Sequence, residues 1–206
     1  MNNFLLKYKK IVACMVIGAA SMGSICHAGV SEKTSSYLIN QINKVEIEAR
    51  GVIKWFDDLF NKQVRFDKQV DELGRMRQQA KTLADGMSQY ASHLDGDDRE
   101  LVKKALTIAM HLEQMLGEIH RQLNEIKGSK NQLVYIKTFQ SIQQLVENEL
   151  KKLDAMLTSL YYSSKHMNAS CTEHIRILRT NLIQLGSNVS APSKGVVLRR
   201  ANDFCA

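Results

Sequence analysis

Between Leu38 and Ala91 the chain places apolar residues at alternating steps of four and three. The positions are Leu38, Ile42, Val45, Ala49, Val52, Phe56, Leu59, Phe66, Val70, Leu73, Ala80, Ala84, Met87 and Ala91, with Gln63 and Arg77 as polar interruptions. Seven residues fill two turns of a slightly under-wound helix, so this spacing keeps one seam in line. The pattern predicts a single first helix over about 36–91, on the order of 80 Å long at about 1.5 Å per residue. Acid-then-base pairs four apart, Glu46 with Arg50, Asp58 with Lys62 and Asp71 with Arg75, fit its outer face. Polar seam residues fix register, and the seam is completed either inside the chain or by a second copy. Gly51, Gly74 and Gly86 each cost about 1 kcal/mol in a helix interior and mark bends.

The stretch His93-Leu94-Asp95-Gly96-Asp97-Asp98 reads as a turn, with Asp97 capping the next helix and Glu100 three residues on. A second helix follows over about 98–127. Its stripe, Val102, Ala105, Ala109, Leu112, Leu116, Ile119, Leu123 and Ile126, is widened by Leu101, Ile108 and Met115, so more than one neighbour covers it. Gly128-Ser129-Lys130-Asn131 is a break, or a bend in one longer helix. The third helix, about 132–165, carries Phe139, Ile142, Val146, Leu150, Leu153, Leu157 and Leu160. Ser170 and Glu173 form a capping box for a fourth helix striped by Ile175, Leu178, Leu182 and Leu185 and ended by Gly186. A short extended piece is expected at Val196 to Leu198. These elements predict an all-α chain: an elongated three-helix bundle with a very long first helix and a small disulfide-tied C-terminal helical cap over 170–206.

Residues 1–28 have the form of a cleaved signal peptide. Lys7, Lys9 and Lys10 precede the apolar run Ile11 to Ala20, and Cys26-His27-Ala28 ends a small-residue stretch that suits cleavage before Gly29. The domain is then 29–206, exported, and periplasmic or at the cell surface. Loss of those three lysines lowers the 28 basic residues to 25 against 21 acidic ones, a formal +4. Acids and bases interleave, which speaks against a nucleic-acid partner. Only Cys171 and Cys205 remain after cleavage. In an oxidising compartment they are expected to form a disulfide worth roughly 3–4 kcal/mol; free thiols and an intermolecular bridge are the competing readings.

Candidate chemistry is sparse. His111 and His120 fall on opposite sides of one helix, and a site at His166, Cys171 and His174 would compete with the disulfide. No zinc-protease, P-loop or nucleophile-elbow pattern occurs, and Asp57 with Asp58 diverge on a helix. No catalytic, cofactor or metal residues are assigned, and neither an enzyme nor a small-molecule substrate is expected. The candidate partner surface is the tip residues His93, Asp95 and Asp97, together with Trp55 and Phe60. Those two aromatics are either a core anchor or an exposed hot spot.

A signal peptide, one long first helix, a returning helical pair and a small C-terminal appendage resemble the minor pilus subunits of bacterial type IV secretion and conjugation systems. The resemblance is one of architecture and implies no site residues. It implies a non-enzymatic structural or interaction protein whose partners are other envelope or secretion-apparatus proteins, with homo-oligomerisation open. The alternative is a periplasmic holdase chaperone for unfolded exported proteins, compatible with the mild basicity, nine methionines and long amphipathic helices.

Overall fold

The computed structural model describes residues 30–61, 64–164, 169–190 and 192–205, without the side chains of residues 169, 170, 190 and 205. The signal-peptide stretch, Lys62, Gln63 and His166 lie outside the described residues. Six helices appear among those described: α1 Glu32–Asn61, α2 Phe66–Ala91, α3 Gly96–Ile126, α4 Gln132–Ser164, α5 Ala169–Ser190 and α6 Lys194–Cys205.

The single first helix is not formed. After α1 the chain is extended at Arg65 (φ −63°, ψ 137°) and turns back as α2. Tyr37 near the start of α1 stacks on Tyr90 near the end of α2, with centroids 3.6 Å apart. Trp55 Nε1, near the end of α1, donates to Gln69 O at 2.9 Å in the first turn of α2. The two halves are therefore an antiparallel hairpin. The apolar seam runs through the reversal in phase because Leu59 and Phe66, seven residues apart, both enter the same core. In α2 the seam passes through Met76 rather than Arg77, whose guanidinium meets Glu113 of α3 at 2.9 Å.

The remaining reversals follow the same rule. Gly96 (φ 56°) opens α3 and Gly128 (φ 81°) breaks α3 from α4, backbone conformations that a Cβ disfavours. Register is marked by Asp71 with Lys127 (3.5 Å), Lys104 with Ser163 (2.6 Å) and Asp154 with Arg179 (2.5 Å). From α1 to α5 each helix packs on its neighbours in sequence, α5 closes the set by lying along α1, and α6 packs on α4 and α1. The end of α5 meets the end of α1, since Asn188 shares a cleft with Phe56 and Phe60, so α1 and α5 are parallel. The architecture is a closed up-and-down bundle of five helices, not three, with α6 across one end.

Both stripes of α3 are buried, facing α2 and α4. Gly186 does not end α5; a Cβ there would lie 3.0 Å from Leu150 Cδ1, so it serves close packing on α4. Val196 to Leu198 is helical rather than extended. Ser193 O accepts from Val196 and Val197 at 2.9 and 3.1 Å, and the α6 face of Val197, Ala201 and Phe204 settles on the bundle. That burial overrides the weak helical propensity of Gly195 and the paired valines.

Two long-range caps lock the ends of α1. At its start, which lies four residues ahead of the predicted 36, Asp98 accepts from Ser31 N (2.8 Å), Ser31 Oγ (2.6 Å) and Thr34 Oγ1 (2.8 Å). Asp97 does not cap α3, which opens at Gly96 with Asp95 at its N-cap position, while Asp98 serves the first turn of α1. At the far end Arg200 of α6, 3 % exposed, donates to Leu59 O (2.8 Å) and Val64 O (3.2 Å), satisfying a terminal carbonyl at the negative end of the helix dipole.

The disulfide-tied cap is also corrected. Cys171 is a free, buried thiol in the first turn of α5, and Cys205 has its side chain outside the described residues. Phe204, next to Cys205, lies 6.1 Å from Phe139 in the second turn of α4, whereas Cys171 follows the far end of that helix. From Phe139 to Ser164 is about 37 Å of helix. The two cysteines belong to opposite ends of the bundle.

Candidate functional site

Beside the seam that faces the core, the outer flanks of α1 and α2 leave a groove of about 900 Å³ between them. The antiparallel pairing sets its order. From the α2–α3 turn downward, one wall is Tyr37, Gln41, Lys44 and Glu48; the other is His93, Tyr90, Gln89, Gly86, Leu83, Thr82, Gln79, Gln78 and Arg75. The Tyr37–Tyr90 stack closes the upper end, and Tyr37 Oη donates to Gly86 O at 3.3 Å. Burial, with the neighbouring Tyr90 hydroxyl, pushes the Tyr37 phenol above its ordinary value.

The walls are rich in groups the fold leaves uncommitted. None of the four glutamine carboxamides at positions 41, 78, 79 and 89 bonds another described side chain or backbone group. Gln41 is only 8 % exposed as a residue, yet none of its polar atoms is buried without a partner, so its carboxamide reaches solvent through the groove. Tyr90 Oη, in contrast, is buried without a partner. Burial raises the Glu48 carboxyl above the usual carboxylate range, and among the described residues it forms no ion pair. Arg75, expected to pair with Asp71, instead lines the groove, while Asp71 meets Lys127, just past the end of α3, at 3.5 Å. The arrangement can donate and accept several hydrogen bonds along a line, with a cation and an anion near its lower end.

The candidate partner residues are not brought together. Trp55 and Phe60 are each 2 % exposed and sit in an aromatic cluster at the α6 end, Phe60 edge-on to Phe139 at 5.6 Å. They anchor the core and offer no surface. His93, Asp95 and Asp97 are exposed at the opposite end. Of these, His93 lines the groove, its Nδ1 2.8 Å from Gln89 O, while Asp95 and Asp97 face solvent at the start of α3.

The remaining titratable groups are spread out. Among the described residues no three His, Cys, Asp or Glu side chains converge as a metal site would require. His111 Nε2 meets Glu149 Oε2 of α4 at 2.5 Å, and His120, its pKa lowered by burial and then by Arg77, lies against Gly74. Burial pushes the Cys171 thiol up to about 11, so it is a poor nucleophile. No helix among the described residues is long and apolar enough to cross a membrane.

Comparison with protein-family models, with curated proteins and with solved structures finds no match. The groove was missed in the sequence because its walls are remote from each other along the chain. One local signal marks it: Gln41, Lys44 and Glu48 form a polar stripe at helical spacing directly flanking the seam, and Arg75, Gln78, Gln79 and Thr82 form another.

Proposed function

We propose that this chain is an exported, non-enzymatic interaction protein of the bacterial envelope or cell surface, a component of a secretion or pilus apparatus. The observation that carries the reading is the groove, whose uncommitted polar side chains suit recognition of another macromolecule and bring no nucleophile and base together. The signal-like residues 1–28 support the compartment, and the closed bundle supports a rigid part rather than a client-engulfing one. The large exposed apolar side chains, among them Ile47, Met110, Leu133, Tyr162, Ile183 and Leu198, are spread over five helices. A holdase needs a contiguous apolar surface, so that alternative draws less support.

The test is in-cell cross-linking of the tagged full-length gene product, with sequencing of its mature N-terminus. A short, reproducible set of envelope proteins in fixed ratio, captured by a chain beginning near Gly29, is the expected result. A mature chain beginning at Met1 would sink the export reading. A long and variable set of unrelated exported proteins would overturn the apparatus reading in favour of the holdase.

A further inference from the structure

The attachment of α6 differs from that of the other helices. The bundle of α1 to α5 closes without it, and α6 lies across one end. At 12 residues, with Gly195, Val196 and Val197 in its first turn, it is too short and too poor a helix former to persist by itself. Val197, Arg200 and Ala201 are buried and Phe204 partly so, whereas Gly195, Leu198, Arg199, Asn202 and Asp203 are exposed. Open clefts flank it, one of about 270 Å³ beside Ser193 and Val196, the other of about 660 Å³ beside Asp203 and Phe204.

The surface beneath α6 is complete in its absence. Phe66 meets Tyr135 at 5.2 Å, Tyr135 meets Phe139 at 6.2 Å and Phe139 meets Phe60 at 5.6 Å, so rings from α1, α2 and α4 hold one another. Phe204 adds a fifth ring, 4.9 Å from Phe66 and 6.0 Å from Tyr135, and Arg200 adds the donors for Leu59 O and Val64 O. These two anchors are four residues apart on one face of α6 and stack at 4.3 Å, so they dock and leave together.

We infer that α6 is a releasable, autoinhibitory strap over this aromatic socket, and that the socket accepts the α6 of a second copy of the chain. Few buried side chains hold the strap, so it opens while the bundle stays folded. The sequence that fits the socket is α6 itself. Delivered by another copy, it makes the same ring contacts and the same two hydrogen bonds, as in domain exchange. The three-residue connection to α5 keeps the resident strap at high effective concentration and suppresses exchange in the native chain. Weakening the resident strap therefore favours the incoming one.

The probe is a fluorescein-labelled peptide of residues 192–206, followed by anisotropy against the full chain, with Cys205→Ser in both to exclude a disulfide. Chains carrying Arg200→Met or Phe204→Ala should bind the unaltered peptide at least tenfold more tightly than the native chain does. The same substitution placed in the peptide should weaken binding at least tenfold. These opposite signs separate exchange from general loosening of the fold. In the native chain, α6 amides should exchange hydrogen at least tenfold faster than those of α3. No saturable binding to a folded variant chain, equal affinity of unaltered and substituted peptides, or equal protection of α6 and α3 would each overturn the inference. It stands apart from the apparatus reading: failed exchange leaves a fixed-ratio set of envelope partners in place, and a variable captured set leaves the peptide result in place.

Discussion

Replacing Arg200 with methionine keeps an apolar stem of similar reach and removes the guanidinium. In the native chain that group is 3 % exposed and donates to Leu59 O at 2.8 Å and Val64 O at 3.2 Å. It also pairs with Asp203 at 3.0 Å and lies 4.3 Å above the Phe204 ring. Asp203 is 44 % exposed at its side chain, so that ion pair is worth at most a few tenths of a kcal/mol. The carbonyls matter more, because Leu59 is in the last turn of α1 and its oxygen has no intrahelical partner. Leaving it buried and unpaired costs about 1–3 kcal/mol, and loss of the cation–π contact adds about 0.5–1 kcal/mol. Arg200→Met should therefore lose about 3 kcal/mol in urea unfolding, equivalent to a fall of roughly 6–12 °C in Tm for a chain of this size. Asp203→Ala should lose less than about 0.5 kcal/mol. If Arg200→Met costs under about 1 kcal/mol, or Asp203→Ala costs as much as it does, then α6 does not cap α1 as described.

Three further outcomes follow from the geometry. Hydrogen bonds from Ser31 and Thr34 outweigh burial and hold Asp98 below its ordinary value, so its contribution is complete above the unfolded pKa near 3.9 and disappears as pH falls through the lower folded value. Asp98→Ala should cost about 1 kcal/mol at pH 7 and progressively less below pH 4, measured by urea titrations across that range; an equal deficit at pH 2 would contradict this account. Cys171, 1 % exposed, should resist alkylation in the native chain, react on unfolding, and leave the mass unchanged by reductant; a two-dalton gain on reduction would restore the disulfide. Spin labels at Ser36→Cys and Ser88→Cys, with Cys171→Ala and Cys205→Ser, should lie within about 20 Å, whereas one continuous helix would separate them by about 78 Å.

Much of the fold is legible in the order of residues. The three-and-four stepping of Val102 to Ile126 and of Phe139 to Leu160 places α3 and α4 to within two residues, and Gly96 and Gly128 mark their starts and stops. An isolated helix records its buried face in its own periodicity, so the all-α class needs no tertiary information. Which face meets which is another matter. From Leu59 to Phe66 the chain crosses the reversal in a seven-residue step, without glycine or proline, so two antiparallel helices sharing a core look like one long helix in the sequence. The hot-spot alternative for Trp55 and Phe60 failed for the same reason, since an aromatic side chain reads alike whether α4 covers it or not.

What only the tertiary structure decided are the contacts between residues far apart in the chain. Asp98, beside the expected cap Asp97, serves Ser31, 67 residues away, and Arg200 closes α1, 141 residues away. Placement of α6 and the start of α5 at opposite ends separates the two cysteines, whatever their even number suggested. The groove exists only because Gln41 and Gly86 come to the same level of a hairpin. Sequence by itself determined the period, and with it the helices and their apolar faces. Packing determined the partners, because burial rewards any apolar face equally while hydrogen bonds and cavities depend on which two surfaces meet.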